Sequence, residues 1–239
     1  MRAGSQGDDY LDTPRGEVLV ICNATPEFIS SLELDGGMGI FAAPNYPPTR
    51  EKKALERIAK SKDSNIIIAY TKQSSMVGFV VIAPPSKAER WGKQSTPDLL
   101  EAMAIEVSRE WRSLGIADKM MEVGLRDSFF DDKIVLCTGY TWHWDLDSTA
   151  LDKESYRRML LSYLEKAGFV YYETDEPNVN LDACNFLTAR IGPGVGHELY
   201  NRFEEMLFKD QAWADFKGRP RIIGDVLGES DAWRSLDDD

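Results

Sequence analysis

Two apolar, β-rich runs separated by a short polar segment set the strongest constraint on the fold of this chain. They occupy residues 65–70 and 76–82, and Lys72–Ser75 between them complete the pattern of a β-hairpin. Further strands are predicted at 18–22, 99–107, 133–138, 169–173 and 185–191. Strands dominate the first half, and helices are interleaved with strands later. The sequence therefore predicts an α/β or α+β domain with a mixed sheet.

The clearest helix is predicted at residues 153–167. Its apolar side chains recur at helical spacing without a break, and they are Tyr156, Met159, Leu160, Tyr163, Leu164 and Ala167. Asp152 can act as its N-cap, and Gly168 can follow its last turn. Other helices are predicted at 26–33, 49–61 and 115–129 and around Leu199–Leu207.

A chain of 239 residues can bury one sizeable core. We expect a disordered arm over residues 1–16, because it is rich in Gly and Asp and lacks periodicity, a folded domain over 17–209, and an acidic extension over 210–239. The extension contributes strongly to the net charge of −12, since residues 225–239 hold six acids and one arginine.

Several classes of protein are disfavoured by composition. No run of eighteen apolar residues is present and the N-terminus has no apolar signal-like stretch, so neither a membrane span nor a leader is expected. Three scattered cysteines favour the reducing cytoplasm. The negative charge argues against a nucleic-acid partner and suits a cationic one, such as a lysine-bearing protein loop. We predict no metal site, and a hydrolase Gly-x-Ser-x-Gly motif is absent.

The segment most informative for chemistry is Arg112-x-x-Gly115-x-Ala117, which follows the strand at 99–107 and opens a helix. The free N–H groups of a helix's first turn bind anions, helped by the helix dipole. Gly115 and Ala117 would let a pyrophosphate approach the backbone closely, and Arg112 adds a positive charge. An ordinary strand–turn–helix with an incidental glycine shows the same short pattern, so the surrounding elements must decide.

Those elements resemble the GCN5-related N-acetyltransferase (GNAT) family over residues 65–192: a hairpin before the motif, a strand after it, and a helix ending in Ala167-Gly-Phe169. The resemblance implies a mixed, mostly antiparallel twisted sheet with splayed central strands and flanking helices. It also implies acetyl-CoA as co-substrate, with pantetheine along one strand and pyrophosphate on the turn. The implied binding residues are Ile105, Val107, Arg112, Ser113, Leu114, Gly115, Ile116 and Ala117.

A narrower resemblance, from about residue 20 to 209, is to the AcuA family of acetoin-utilisation acetyltransferases. It rests first on the Trp-His-Trp-Asp segment within 141–146, because tryptophan and histidine are rare residues. Five shorter segments also match: Ala104–Val107, Leu151-Asp, Tyr156-Arg, Thr174–Pro177 and Ala189–Gly192. This resemblance implies a protein lysine acetyltransferase that switches off the AMP-forming acetyl-CoA synthetase. Trp142, His143, Trp144 and Asp145 are then expected on the acceptor side of the site or in a structural role.

Glu101 is the predicted general base. Some GNAT members place a glutamate six residues before the last pantetheine-binding valine of the strand, which is Val107 here. A lysine ammonium with a pKa near 10.4 must lose a proton before it attacks. A strand-end carboxylate facing solvent is the alternative for Glu101. Strand alternation places Glu106 on the opposite face, in a structural or substrate-side role.

The tyrosine that many GNAT members use to protonate the departing thiolate is missing. Leu164 occupies its position, and Tyr163 stands one residue earlier within the apolar stripe, where core packing is the favoured role. Two other functions therefore remain open. One is acetylation of a small amine, and the other is a CoA-sensing protein that inhibits its partner by binding.

Overall fold

The computed structural model describes residues 9–39, 49–87, 89–94 and 96–209, and its centre is one mixed sheet. The strands are β1 (Asp9–Thr13), β2 (Gly16–Ile21), β3 (Glu33–Leu34), β4 (Asn65–Thr71), β5 (Ser75–Ala83), β6 (Leu99–Val107), β7 (Ile134–Gly139), β8 (Val170–Tyr172) and β9 (Phe186–Ile191). Their order is β1-β2-β4-β5-β6-β7-β9-β8, with the short β3 beside β5. Only β6–β7 and β3–β5 are parallel. The predicted mixed, mostly antiparallel sheet is confirmed.

Helices cover both faces of the sheet. They are α1 (Pro26–Ser31), α2 (Thr49–Ile58), α3 (Arg90–Lys93), α4 (Ile116–Leu125), α5 (Lys153–Lys166) and α6 (His197–Leu207). Met120 of α4 and Leu161 of α5 pack into the core on one face. Helices α1 and α2 pack on the other face, as do α3 and α6 further along it. The result is a three-layer domain. No helix in the described part of the chain is long and apolar enough to cross a membrane.

The predicted helices agree with the structure, with two informative differences. Asp152 caps α5 by accepting the N–H of Ser155 at 2.7 Å, as its position predicts. The helix predicted at 115–129 ends at Leu125, and Asp127 then caps a separate 3₁₀ turn at Ser128–Phe130. On α5, Leu161 is fully buried although it lies outside the predicted stripe.

The expectation of a disordered arm over residues 1–16 is wrong for its second half. Residues 9–13 form β1, which pairs with β2 through a turn that ends at Gly16 with φ of +114°. Leu11 packs against the main core, and the carboxylate of Asp9 forms ion pairs with Lys119 and Arg126 of the α4 region. These long-range contacts stabilise a strand whose local sequence is mostly polar. Residues 1–8 and 210–239 lie outside the described residues.

Strands β6 and β7 diverge after a short parallel pairing, as the resemblance predicts. Leu99–Glu101 pair with Ile134–Leu136, and the register stops there. From Ala102 onward β6 is paired with β5 alone among the described strands. The edge of β6 that faces β7 is therefore left without a ladder partner, and a gap opens between the two strands.

A β-bulge at Met103 changes which side chains of β6 share a face. Ala102 pairs with Ile82 and Ala104 pairs with Val81, so Met103 is the extra residue. Residues paired across strands point to the same face. Glu101 and Glu106 are opposite Ala83 and Phe79, which belong to the same core cluster. The predicted placement of Glu106 on the opposite face from Glu101 is therefore wrong, because simple alternation takes no account of the bulge.

Candidate active site

A cavity of about 360 Å³ fills the gap between the diverging strands. Its walls are residues 102–107 of β6, the turn leading into α4, the end of β7, the segment that follows β7, and one side of α5. The structure places most of the predicted cofactor residues in this lining: Ile105, Val107, Arg112, Ser113, Gly115, Ile116 and Ala117. Leu114 does not line the cavity and packs instead against the main core.

The turn before α4 presents backbone N–H groups to the cavity. Gly115 is the N-cap of α4 and has φ of +79°, and Ser113 has φ of +62°. Left-handed residues so close together concentrate N–H groups in a concave turn of the kind that binds anions. A Cβ on Gly115 would contact only Leu11, at 3.8 Å, so its conformation rather than crowding by protein atoms makes glycine the suitable residue.

The guanidinium of Arg112 is held beside this turn by three partners. Its Nε donates to the carbonyl of Val107 at 3.2 Å, one Nη donates to Ser148 at 2.7 Å, and the other contacts the carboxylate of Asp145 at 2.8 Å. Arg109 binds the same carboxylate at 3.0 Å. Although burial opposes ionisation, hydrogen bonds from Arg109, Ser148 and Arg112 lower the pKa of Asp145 to about 2. The predicted cofactor motif and the Trp-His-Trp-Asp segment are thus joined directly.

Glu101 lies just behind the cavity wall. Glu101 is 4% exposed, and its carboxylate accepts a hydrogen bond at 3.0 Å from the hydroxyl of Thr138. Thr138 itself lines the cavity. Burial, reinforced by the negative charge of Glu89, raises the pKa of Glu101 to about 7. A carboxylate with that pKa is suited to general base catalysis near neutral pH. The alternative of a solvent-facing strand-end carboxylate is wrong.

Two acidic residues fix the backbone around the site, and one of them, Glu106, belongs to the cavity wall. Glu106 is buried and accepts the N–H of Gly39 at 2.7 Å. Asp35 accepts hydrogen bonds from the hydroxyl of Ser108 and, at 3.2 Å, from the indole of Trp111. It thereby joins the turn after β3 to the turn after β6. Sequence reasoning did not identify Asp35, because the Asp-Gly-Gly pattern around it indicates only a turn.

Helix α5 turns Tyr163 towards the cavity. Tyr163 and Leu164 both line the cavity, but Leu164 is 2% exposed and packs in the core together with Leu161, whereas Tyr163 is only partly buried. The favoured core-packing role for Tyr163 is therefore wrong. Burial raises the pKa of its phenol, which stays protonated at neutral pH and can donate a proton.

The Trp-His-Trp-Asp segment divides between the cavity and the surface. Trp144 lines the cavity and stacks on Tyr156 of α5, with ring centroids 5.2 Å apart. His143 also lines the cavity, although it is exposed to solvent overall. Trp142 is 49% exposed and stacks on Tyr140 at 4.6 Å, and neither Trp142 nor Asp145 lines the cavity. The four residues expected together on the acceptor side thus have different positions.

Comparison with known proteins places this chain in a family. No family model matches it. The acetoin utilization protein AcuA of Bacillus licheniformis is 32% identical over 201 residues, which cover 84% of this chain and 93% of that protein. AcuA of Bacillus subtilis is 31% identical over 83% of this chain and 92% of its own length. The chain belongs to the AcuA family.

A solved relative supports the fold independently. The crystal structure of an acetoin utilization protein from Exiguobacterium sibiricum superposes with a TM-score of 0.80 at 30% identity, covering 85% of this chain and 94% of the other. The AcuA resemblance predicted from the sequence is confirmed. Within the part of the chain that the structure describes, no three His, Cys, Asp or Glu side chains are grouped as metal ligands.

Proposed function

We propose that this AcuA-family protein transfers the acetyl group of acetyl-CoA to a lysine side chain of the AMP-forming acetyl-CoA synthetase and thereby lowers the activity of that enzyme. The observation that carries the proposal is the cavity between β6 and β7. It combines an unpaired strand edge, the N-terminus of α4 and a buried glutamate with a pKa of about 7. Three free cysteines in the described residues favour a cytoplasmic setting.

The backbone around the cavity fits the acetyl donor. The first N–H groups of α4 and the concave turn before it suit a pyrophosphate, because the Gly115 cap has no side chain to bond them and they lie at the positive end of the helix dipole. The free edge of β6 can hydrogen-bond an extended pantetheine arm as an additional strand would. A backbone N–H of Ile105–Val107 would then polarise the thioester carbonyl and stabilise the oxyanion.

The side chains behind the cavity fit a lysine acceptor. The ammonium must become an amine before it attacks, and its pKa of about 10.4 makes this unfavourable at neutral pH without a base. A hydroxyl can accept and donate a hydrogen bond at the same time. Thr138 can therefore pass the proton from the amine to Glu101. The new C–N bond then forms as the C–S bond breaks, and the sulfur leaves as a thiolate that takes up a proton.

The proposal is tested by mixing the purified protein, acetyl-CoA and the synthetase, then following synthetase activity and mapping acetylated lysines by mass spectrometry. We expect one site to be modified at the rate at which activity is lost, and no modification when acetyl-CoA is omitted. Loss of activity without acetylation would favour the CoA-sensing alternative. Acetylation of polyamines or aminoglycosides, with the synthetase unmodified, would favour a small-amine acetyltransferase.

A further inference from the structure

The segment between β7 and α5 forms part of the cavity wall, and we refer to residues 141–151 as the strap. His143, Trp144, Thr149 and Leu151 of the strap line the cavity. Its regular structure consists of two single 3₁₀ turns, Thr141–His143 and Leu146–Ser148. A single 3₁₀ turn has few hydrogen bonds of its own and poor geometry. The position of the strap must therefore depend on contacts with the rest of the domain.

Asp145 supplies the polar contact, midway between the two turns. Its side chain is 9% exposed and is bound by Arg109 at 3.0 Å and by Arg112 at 2.8 Å. Ser148, at the end of the second turn, hydrogen-bonds both Arg112 and Asp145. Both arginines come from the segment immediately after β6. One carboxylate thus joins the strap to the opposite rim of the cavity.

Trp144 supplies the apolar contact next to it. The indole stacks on Tyr156 of α5 with an angle of 19° between the rings. Because Trp144 and Asp145 are adjacent, the carboxylate that binds the arginines also fixes the position of the indole in the cavity wall. Thr141 anchors the start of the strap through hydrogen bonds to Asn185 and Asp182. Beyond it, the strap is fastened to α5 by stacking and to the turn after β6 by charge.

The sign of the Asp145 charge indicates what this contact does. A carboxylate next to a proposed pyrophosphate site lowers the positive potential there, so on electrostatic grounds alone it weakens anion binding. It also does not line the cavity, so it touches no bound group directly. A benefit for the acetyl donor must therefore arise through the residues that Asp145 holds.

We propose that Asp145 is a positioning residue for the acetyl donor: by binding Arg109 and Arg112 it holds the strap closed, so that Trp144 forms the wall against which the pantetheine arm lies. This inference rests on the proposed function. It predicts that loss of the Asp145 charge weakens binding of the pantetheine arm but not of the pyrophosphate. The arm contacts the strap, whereas the pyrophosphate is bound only by the turn and by positive charge.

The experiment compares Asp145→Asn with Asp147→Asn. The control removes the same charge from the same strap, at an exposed residue with no ion pair to any described residue. We measure Kd values by calorimetry for acetyl-CoA and for ADP, which has the pyrophosphate but no arm, together with KM for acetyl-CoA and for the acceptor. For Asp145→Asn we expect Kd and KM for acetyl-CoA to rise about tenfold, with ADP binding unchanged or tighter. The KM for the acceptor should stay within about twofold, and the control should match the parent protein.

Two further variants keep the inference testable if Asp145→Asn unfolds. Arg109→Gln removes one of the two arginine contacts at a residue outside the cavity lining and should raise Kd for acetyl-CoA by less than Asp145→Asn does. Because it also removes a positive charge, ADP binding should weaken slightly, but by less than acetyl-CoA binding. Asp145→Glu keeps the charge and should restore part of the affinity. Equal weakening of ADP and acetyl-CoA binding, or no change in either, would overturn the inference. Failure of the parent protein itself to bind acetyl-CoA would instead overturn the proposed function.

Discussion

The two sides of the cavity differ in the groups that they offer to a bound co-substrate. On the α4 side, the proposed binding groups are backbone N–H groups in a turn shaped by Gly115 and Ser113. On the strap side, the proposed contact is the side chain of Trp144, which Tyr156 holds by stacking and which Asp145 positions through its ion pairs with Arg109 and Arg112. Backbone N–H groups form a binding site wherever a few small residues shape a strand–turn–helix. A site that depends on side chains also needs neighbouring residues that hold those side chains in place. The first tolerates side-chain changes that do not fill it, and the second is sensitive to the loss of one charge.

The largest effect is expected for Gly115→Trp, which fills the backbone-made side. We expect loss of detectable acetyl-CoA binding by calorimetry, at least about 100-fold, because the indole would occupy the space of the pyrophosphate. The left-handed φ adds strain of about 1 kcal/mol, so the melting temperature should fall only slightly. Gly196→Trp is the matched control, since Gly196 has φ of −75° and open space around it. Unchanged affinity in Gly115→Trp would remove the pyrophosphate assignment.

The next largest effect is expected for substitution of Glu101, which lies behind the cavity wall. We expect Glu101→Gln to lower kcat about 100-fold, a typical value for loss of a general base. In the parent protein, kcat/KM should rise with pH through about 7, because Glu101 must be ionised to accept a proton. This rise in the pH–rate profile should disappear in Glu101→Gln, while the rise due to deprotonation of the acceptor amine remains. A pH–rate profile identical to that of the parent would rule Glu101 out as the base.

The same pKa shift gives a stability prediction with a definite sign. The folded-state pKa of Glu101 is raised, so the ionised form is less favourable in the folded protein than in the unfolded chain. The associated destabilisation is absent below the unfolded pKa of about 4.5 and develops as pH rises to about 7. Urea denaturation should show Glu101→Gln to be more stable than the parent at pH 8, by up to about 3 kcal/mol, with the difference shrinking towards pH 5.

Glu101 and Glu106 also show what could and could not be predicted from the sequence. The position of Glu101 at the start of the gap follows from counting along the strand, because the GNAT resemblance fixes the distance to Val107. The shared face of Glu101 and Glu106 does not, since the bulge at Met103 is visible only in the pairing with β5. Strand β1 was missed for a related reason: its ion pairs with Lys119 and Arg126 join residues more than a hundred positions apart.

Trp144 and Trp142 provide a comparison within the strap. Trp144→Leu should raise Kd for acetyl-CoA about tenfold, because it removes the ring stacked on Tyr156 from the cavity wall. Trp142→Leu changes an exposed ring that does not line the cavity, and its effect on acetyl-CoA binding should stay below about twofold. Calorimetry with both variants measures the difference. Equal effects would show that the strap does not separate an inner from an outer surface.

The smallest effect is expected for Tyr163→Phe, which tests whether the cavity supplies a proton to the departing thiolate. The phenol of Tyr163 lines the cavity and stays protonated at neutral pH, whereas Leu164 beside it is buried and has no proton to give. A thiolate is a good leaving group that solvent can also protonate, so removing the hydroxyl should lower kcat only about threefold, with KM for acetyl-CoA unchanged. Tyr171→Phe, on β8 and outside the cavity lining, is the control. A fall of 100-fold would instead make Tyr163 an obligatory acid.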